Sequence, residues 1–349
     1  MLRRQPSSRL LTAAALALAQ AASAGGVVLA QGQAQLSVRY VQEVPVADPQ
    51  APLWDTVAPL EVPLTAQQAT PPMLLQGSVS TVRVRAVHDG RWIAFLLEWQ
   101  DDTQDLYASR PDQFRDAAAI QLPVDPSRPG VCMGFRGQPV NLWHWKADWQ
   151  ADIDEGFRDV VDAYPTFWKD YYPYAVGEPP FRAPTHFADT DARAYLAGWA
   201  AGNPLSDPLR VTPVEELAAM GFGSAEHRAL QQVLGRGVWR DGTWRVVYAR
   251  PMASSDPQAV QFRPGAQGYV AFAVWNGANQ EVSGRKQTTA DLALVLEALP
   301  GQGGEAPRSA RPGLPWWAVL LVGVAAMATG GGAVYGYLRW AQAAGRPGA

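Results

Sequence analysis

The sequence predicts a mainly β protein, in which an antiparallel β-sandwich carries a helical and loop insertion and precedes one C-terminal transmembrane helix. Short segments that alternate between apolar and polar residues predict the strands. Proline and glycine, at 29 and 32 of 349 residues, favour turns between them. A long uncharged run near the C-terminus predicts the membrane helix. The formal net charge of −3 gives no reason to expect a nucleic acid as a partner.

The first 30 residues have the pattern of a secretory signal peptide. Arginines form a basic start, the apolar run 10–22 follows, and small-residue cleavage sites end at Ala24 and at Ala30. An uncleaved N-terminal anchor is the alternative, but the apolar run is short for a membrane span. We therefore expect residues 1–30 to direct export and to be removed.

The working domain is expected over residues 35–298, where several segments alternate as strands with one buried face do. Turn signals such as Asp89-Gly90 and Asp241-Gly242 precede two of these segments. This pattern is typical of an antiparallel β-sandwich. The segments are 36–41, 80–87, 92–99, 117–122, 243–250 and 268–275.

The middle of this domain, about residues 150–235, is interpreted as a long insertion. It is acidic at first, then aromatic, then rich in proline. A short helix is expected from Val214, with Thr212 as its N-cap and Pro213 in its first turn. A second short helix is expected within 224–234. Long insertions often carry function, so the aromatic stretch is a candidate docking surface.

The C-terminal part is predicted to tether the domain to a membrane. Residues 299–315 are rich in glycine and proline and are interpreted as a flexible linker. Residues 316–338 carry no charge and have aromatic residues at both ends, as a transmembrane helix does. Arg339 and Arg346 follow, so the positive-inside rule places the tail 339–349 in the cytoplasm. The main domain is then extracytoplasmic, on the periplasmic or external side.

The cysteine content excludes several kinds of site. Cys132 is the single cysteine, so an intrachain disulfide, a thiolate metal cluster and a covalently attached c-type haem are excluded. The sequence also lacks the motifs of a Ser-His-Asp triad and of a phosphate-binding glycine loop. Lysine is rare, and the chain has only Lys146, Lys169 and Lys286.

Two segments concentrate the residues that are suited to binding a cofactor. Residues 131–149 begin with Cys132 and Met133, turn through a glycine-rich stretch, and continue as an aromatic, strand-like run. Residues 274–286 join a predicted strand to Lys286 through a polar, glycine-containing loop.

These segments resemble the haem b-binding γ subunits of ethylbenzene dehydrogenase, dimethylsulfide dehydrogenase and the chlorate and selenate reductases, which are molybdenum enzymes of the type II DMSO reductase family. The resemblance covers most of the domain, whereas the C-terminal span departs from it, because such γ subunits are usually soluble. The matching segments are Trp92–Trp99 with Asp101 and Thr103, Phe114–Asp116, Met133–Gly134, Asn141–Asp148, Ala201–Asn203, Glu216–Gly223, Gly242–Val247, Trp275–Gly277 and Gly284–Lys286.

The resemblance implies one non-covalent haem b at the end of the sandwich, with Met133 and Lys286 as the axial ligands of its iron. Two protein ligands keep oxygen off an iron that only transfers electrons. A thioether favours Fe(II), and a lysine donates to iron only after losing its proton. His144 is the main alternative ligand, and Lys146, on the same face of the strand, is a weaker one.

Other aromatic and polar residues near these ligands are assigned as follows. Asn141, Trp143 and Trp145 are expected to contact the cofactor, although two of the three tryptophans Trp143, Trp145 and Trp149 are expected to lie in the core. Three remaining histidines are expected at the surface, and these are His88, His186 and His227.

The function implied is electron transfer, without catalytic residues in this chain. The haem would exchange electrons with the iron–sulfur and molybdopterin subunits of a DMSO reductase-family enzyme. One alternative is a haem-free, membrane-tethered module that binds a carbohydrate or another ligand through exposed aromatic residues. Another is a membrane-tethered cytochrome that works with a different partner.

Overall fold

The computed structural model describes residues 34–158, 160–164, 166 and 197–301, and β-strands dominate them. The strands are β1 (Gln35–Tyr40), β2 (Leu60–Pro63), β3 (Thr65–Ala66), β4 (Thr81–His88), β5 (Trp92–Gln100), β6 (Ala117–Pro123), β7 (Val140–Lys146), β8 (Val214–Ala219), β9 (Glu226–His227), β10 (Leu234–Arg240), β11 (Thr243–Pro251), β12 (Gln267–Trp275), β13 (Gln287–Thr288) and β14 (Leu292–Leu296). The helices are α1 (Ala147–Glu155), α2 (Val160–Ala163) and α3 (Ala197–Ala200), with 3-10 turns at Pro52–Thr56, Val131–Met133, Pro204–Ser206 and Gly277–Asn279.

The strands form two layers that are joined by β1. One layer has the order β10-β11-β5-β4, with β2 also paired to β4, and the other has the order β14-β12-β6-β7-β8-β9. The first part of β1 pairs with β14 and its end pairs with β4, both in parallel, whereas the other pairings are antiparallel. The mainly β prediction is therefore confirmed, but the sheet is mixed because β1 lies parallel to both of its neighbours.

The main core lies between the two layers. Phe95 on β5 packs edge-on against Trp143 on β7, with ring centroids 5.9 Å apart, although these strands are distant in the hydrogen-bonding order. Trp99, Trp145 and Trp244 form a second contact across the layers, with centroid separations of 4.8–6.2 Å. Each of these large side chains contributes roughly 1.5–3 kcal/mol by leaving water.

A glycine makes room for one of these tryptophans. A Cβ atom at Gly237 on β10 would lie 2.3 Å from an indole carbon of Trp145, which is too close for any other residue. The bare backbone of β10 thus allows the indole to pack against it. This contact fixes the position of β7 relative to β10 in the opposite layer.

The two helices predicted within 214–235 are absent, and the stretch instead contains the strands β8 and β9, connecting loops and the start of β10. Val214 begins β8, which pairs with β7 along six positions and also with β9, so tertiary pairing overrides the local helix signal. Thr212 does act through its hydroxyl, which accepts a hydrogen bond from Val214 N at 3.3 Å, but the turn leads into a strand. The predicted insertion is therefore shorter than 150–235, and much of its aromatic part lies outside the described residues.

The predicted ends of the chain also lie outside the described residues. These are the signal peptide 1–30, most of the linker 299–315, the membrane span 316–338 and the tail 339–349. Within the part of the chain that the structure describes, no helix is long and apolar enough to cross a membrane.

A buried ion pair in the core generates a stability prediction. Arg250 is fully buried and donates from Nη1 to Glu216 Oε1 at 3.2 Å. Arg250→Met leaves the Glu216 carboxylate buried without its counter-charge, so we expect a loss of about 3–5 kcal/mol in the free energy of unfolding. Urea denaturation followed by tryptophan fluorescence measures it.

The matched control for this variant is Arg236→Met, since Arg236 pairs with Asp154 at the surface with 46% of its side chain exposed. For this variant we expect the free energy of unfolding to change by less than about 1 kcal/mol. Adding Glu216→Leu to Arg250→Met should restore most of the lost stability. Equal effects of the two arginine substitutions would contradict this reading.

Candidate functional site

A cavity of about 640 Å³ opens on the outer face of the layer that contains β6, β7 and β12. Ligand cavities in proteins have volumes of about 300–1,000 Å³, so this one suits a sizeable small molecule. Its position differs from the end of the sandwich that the resemblance implied. Its floor consists mainly of small and apolar side chains, which are Ala119, Leu142, Leu217, Ala271 and Ala273, together with His144.

Strand alternation explains this floor. On β6, Ala118 and Ile120 are fully buried in the core between the layers, so Ala119 points to the opposite face. Ala119 pairs with His144 on β7 and with Ala273 on β12, which places these three side chains in one row across the sheet. Because two of the three are alanines, the row leaves space above it.

Met133 reaches the cavity from the loop between β6 and β7. Cys132, Met133 and Gly134 all have positive φ angles, of 54°, 65° and 78°, so the chain turns sharply here. A Cβ atom at Gly134 would lie 2.7 Å from the carbonyl oxygen of Gln138, which restricts this position to glycine. The carbonyl of Met133 accepts a hydrogen bond from Gly221 N at 2.9 Å, which fastens the turn.

Lys286 reaches the cavity from the loop between β12 and β13. Its carbonyl accepts a hydrogen bond from Gln67 N at 2.9 Å, and the Gln67 side chain donates to the carbonyl of Gly284 at 2.8 Å. Gln67 is itself buried and lines the cavity. The backbone that carries Lys286 is thereby held at two points.

The side chains of Met133 and Lys286 meet in the cavity, although 153 residues separate them in the sequence. Lys286 Nζ lies 3.7 Å from Met133 Sδ. Lys286 is only 8% exposed, and burial lowers its pKa to about 8. Among the described residues no carboxylate forms an ion pair with it. A buried amine beside a thioether is an unusual pair, and its pKa makes the neutral, electron-donating form accessible.

His144 is a third potential donor on the cavity floor. Its ring packs against that of Trp275, with centroids 4.9 Å apart and planes inclined by 31°. Its Nε2 atom is buried and has no hydrogen-bond partner in the described part of the chain. Burial, and then the positive charges of Lys146, Arg115 and Lys286, lower its pKa well below the usual range, so the imidazole is neutral.

Lys146 shares the outward face of β7 but has a partner. Its ammonium group donates to Glu215, which also accepts from His227 Nδ1 at 2.8 Å. Lys146 Nζ also lies 3.9 Å from the ring centroid of Trp149. These contacts satisfy the charge, so Lys146 is a structural residue here.

Asn141, Trp143 and Trp145 do not line the cavity, because strand alternation directs them to the opposite face of β7. Trp143 and Trp145 are fully buried in the core between the layers. Asn141 donates to Gln258 O at 3.2 Å and accepts from Val260 N, so it connects β7 to the loop between β11 and β12.

The expected positions of the other histidines need correction. His88 is fully buried, not at the surface, and its Nε2 lies 2.9 Å from Glu297 O. His227 is partly buried through its bond to Glu215. Trp149 is also buried, at 7% exposure, but it packs against Lys146 and Arg210, whereas Trp143 and Trp145 lie in the core between the layers. His186 lies outside the described residues.

Trp275 and Gln67 are site residues that the sequence reasoning missed. Trp275 lines the cavity, and its Nε1 donates to Ser283 O at 3.0 Å. The alternation of β12 contained the signal for Trp275, since the pattern places Ala271, Ala273 and Trp275 on one face. The sequence around Gln67 held no comparable signal, because its role depends on a contact with a loop 217 residues away.

The fold and the site together define a β-structured protein with a cofactor-sized cavity in which a thioether and a buried amine meet. Residues 51–287 match the family model described as ethylbenzene dehydrogenase. The chain therefore belongs to the ethylbenzene dehydrogenase family, which confirms the resemblance drawn from its motifs.

Two relatives extend this comparison. A putative respiratory nitrate reductase heme subunit of Haloferax mediterranei is 27% identical over 75% of this chain and 76% of its own length. The chlorate reductase subunit gamma of Ideonella dechloratans is 24% identical over 77% of this chain and 89% of its own length.

Solved structures align more distantly. A family 9 carbohydrate-binding module from Caldicellulosiruptor kristjanssonii, in complex with glucose, aligns with a TM-score of 0.36 and 11% identity over 78% of this chain and 100% of its own. A putative carbohydrate-binding protein from Bacteroides uniformis aligns with a TM-score of 0.40 and 9% identity, over 76% of this chain and 100% of its own. Similarities at this level carry no inference about function.

The buried amine generates a pH prediction for the ligand-free protein. The pKa of Lys286 is about 8 in the folded chain and about 10.4 when unfolded. The unfolded chain binds more protons between these values, so this group adds stability as pH rises from 8 to 10.4. Below pH 8 the folded chain bears the full cost of burying the Lys286 ammonium. We therefore expect the free energy of unfolding of Lys286→Met to exceed that of the wild type by about 3 kcal/mol at pH 7.

This difference should shrink toward zero by about pH 10.5, and urea unfolding at a series of pH values measures it. The control is Lys146→Met, which should destabilise at pH 7 because the buried Glu215 carboxylate loses its lysine counter-charge and keeps only the contact with His227. A Lys286→Met advantage that does not change with pH would contradict the prediction.

Proposed function

We propose that this chain is a membrane-anchored, extracytoplasmic b-type cytochrome subunit, and that Met133 and Lys286 are the axial ligands of its single, non-covalent haem b. It transfers electrons between a molybdenum and iron–sulfur oxidoreductase and a membrane or soluble redox partner. The observation that carries the proposal is the approach of Lys286 Nζ to Met133 Sδ, at 3.7 Å, within the cavity.

The donor set and the cavity fit such a group. The Lys286 amine and the Met133 thioether lie 3.7 Å apart in the cavity, so these two side chains would hold the iron between them. The alanine-rich floor offers an apolar surface, and haem supplies a centre that gains or loses one electron.

The residues around the ligands support this chemistry. Burial of Lys286 favours its neutral form, which has a free electron pair for a metal. Among the described residues no carboxylate forms an ion pair with Lys286, so its ammonium form lacks a counter-charge. The Met133 thioether is a soft donor that favours the reduced iron. If both residues held the iron, it would transfer electrons and would have no open position for oxygen.

The names of the relatives support assembly into an oxidoreductase complex. One is a putative heme subunit of a respiratory nitrate reductase, and the other is the gamma subunit of chlorate reductase. We infer that this chain likewise serves a catalytic partner and is not itself the enzyme. The iron–sulfur and molybdopterin subunits of a DMSO reductase-family enzyme are the partners that we propose.

Loss of either ligand should change the haem spectrum of the full-length protein. We expect the wild type to be a six-coordinate, low-spin b-type cytochrome. Met133→Leu and Lys286→Ala should each give a five-coordinate or water-ligated haem, because each leaves one axial position open. Absorption spectroscopy of the oxidised and reduced proteins measures this.

Met252→Leu is the control, since Met252 is buried at 3% exposure and does not line the cavity. It should leave the spectrum unchanged. Retention of the wild-type spectrum by both ligand variants would refute the ligand pair. A wild-type protein that stays colourless after expression with sufficient haem would refute the cytochrome, in favour of a haem-free binding module.

The location that we propose rests on the two ends of the sequence. Residues 1–30 direct export, residues 316–338 span the membrane after a linker at 299–315, and the tail 339–349 remains in the cytoplasm. A chain truncated after residue 315 should move from the membrane fraction to the soluble extracytoplasmic fraction. If the truncated chain stays in the membrane as the full-length chain does, the C-terminal anchor is refuted.

A further inference from the structure

The cavity contains three potential iron ligands, but an iron in haem offers only two axial positions. Met133, Lys286 and His144 all line it. Imidazole is the commonest metal ligand in proteins, and its nitrogen donates without first losing a proton at neutral pH. Chemistry alone would therefore favour His144 over Lys286. Some feature of the structure has to favour the amine.

The position of His144 is rigid. It lies in the middle of β7, and its backbone is paired with Ala119 on one side and with Glu215 on the other. The Trp275 ring packs against its imidazole, with ring centroids 4.9 Å apart and planes inclined by 31°, and this contact restricts movement of the imidazole. The Nε2 atom remains buried and has no hydrogen-bond partner in the described part of the chain.

Trp275 contacts both competing donors. It is 7% exposed at the end of β12, and its Nε1 donates to Ser283 O in the loop that carries Lys286. The Lys286 Nζ atom lies 5.1 Å from the centroid of its ring. The indole is therefore fixed to a strand and to a loop, and its packing constrains the imidazole while Lys286 remains beside Met133.

We propose that Trp275 determines which residue binds the iron, because its indole holds the His144 imidazole against the cavity floor and leaves the second axial position to Lys286. The proposal rests on the haem site proposed above. Trp275 is a positioning residue in this scheme, since it acts on His144 and Lys286 and supplies no ligand.

The test uses haem-loaded, full-length protein in which the native amine is removed. Lys286→Ala alone should give an open axial position, because Trp275 still holds His144. Lys286→Ala combined with Trp275→Ala should regain a six-coordinate, low-spin spectrum with the electron paramagnetic resonance and near-infrared signature of histidine–methionine ligation. Addition of His144→Ala should abolish that signature. The regained ligand should tighten haem binding by about tenfold or more.

Two controls isolate the indole. Trp149→Ala removes a tryptophan of equal 7% exposure that lies outside the cavity, and with Lys286→Ala it should leave the position open. Added imidazole should bind to Lys286→Ala and give a low-spin spectrum, which shows that the open position accepts this ring when it is not tethered to β7. Trp275→Leu serves as a second variant if Trp275→Ala folds poorly.

The outcomes separate this proposal from the one on which it rests. If Lys286→Ala keeps the wild-type spectrum, Lys286 is not a ligand and both proposals fail. If Lys286→Ala alone already shows a histidine signature that His144→Ala removes, the haem site stands but Trp275 is not the barrier. The proposal for Trp275 also fails if folded Trp275→Ala and Trp275→Leu versions both leave the position open.

Discussion

The alternation of side chains along β7 is the constraint on which the rest of the structure depends. Trp143 and Trp145 point into the core between the layers, so Leu142 and His144 necessarily point to the cavity. A shift of one residue in the register would exchange the two faces. The close packing of the Trp145 indole against Gly237 opposes such a shift, since no other residue fits there. The core therefore specifies the floor of the site.

The inner and outer faces of the layer that contains β7 have different roles. The inner face buries large aromatic side chains and supplies stability, whereas the outer face has alanines that bury little area. The outer face also contains groups that oppose folding, namely a buried amine at Lys286 and an imidazole nitrogen at His144 without a hydrogen bond. Strained or unsatisfied groups persist at functional sites because the surrounding structure compensates for them. The aromatic core provides that compensation.

Local sequence patterns predicted the parts of the fold that depend on local structure. The strand segments at 92–99 and 243–250 were recognisable because alternation is a property of each strand alone. The parallel pairing of β1 and the strand at Val214 were missed, since distant partners decide them. Met133 and Lys286 came from matching motifs to a family. Their approach within the cavity, and the contact of Trp275 with His144, follow from strand pairings that no local pattern contains.

The separation of Met133 and Lys286 along the chain has a mechanical consequence. A group bound to both would close a loop of 153 residues, much as a disulfide does. In the chain-entropy model, a cross-link that closes a loop of this length lowers the conformational entropy of the unfolded chain, provided that the bonds persist on unfolding. This loss of entropy corresponds to a stabilisation of roughly 5 kcal/mol. The cofactor would then link the β6–β7 loop to the β12–β13 loop for as long as it stayed bound. Its loss would free two distant parts of the domain to move independently.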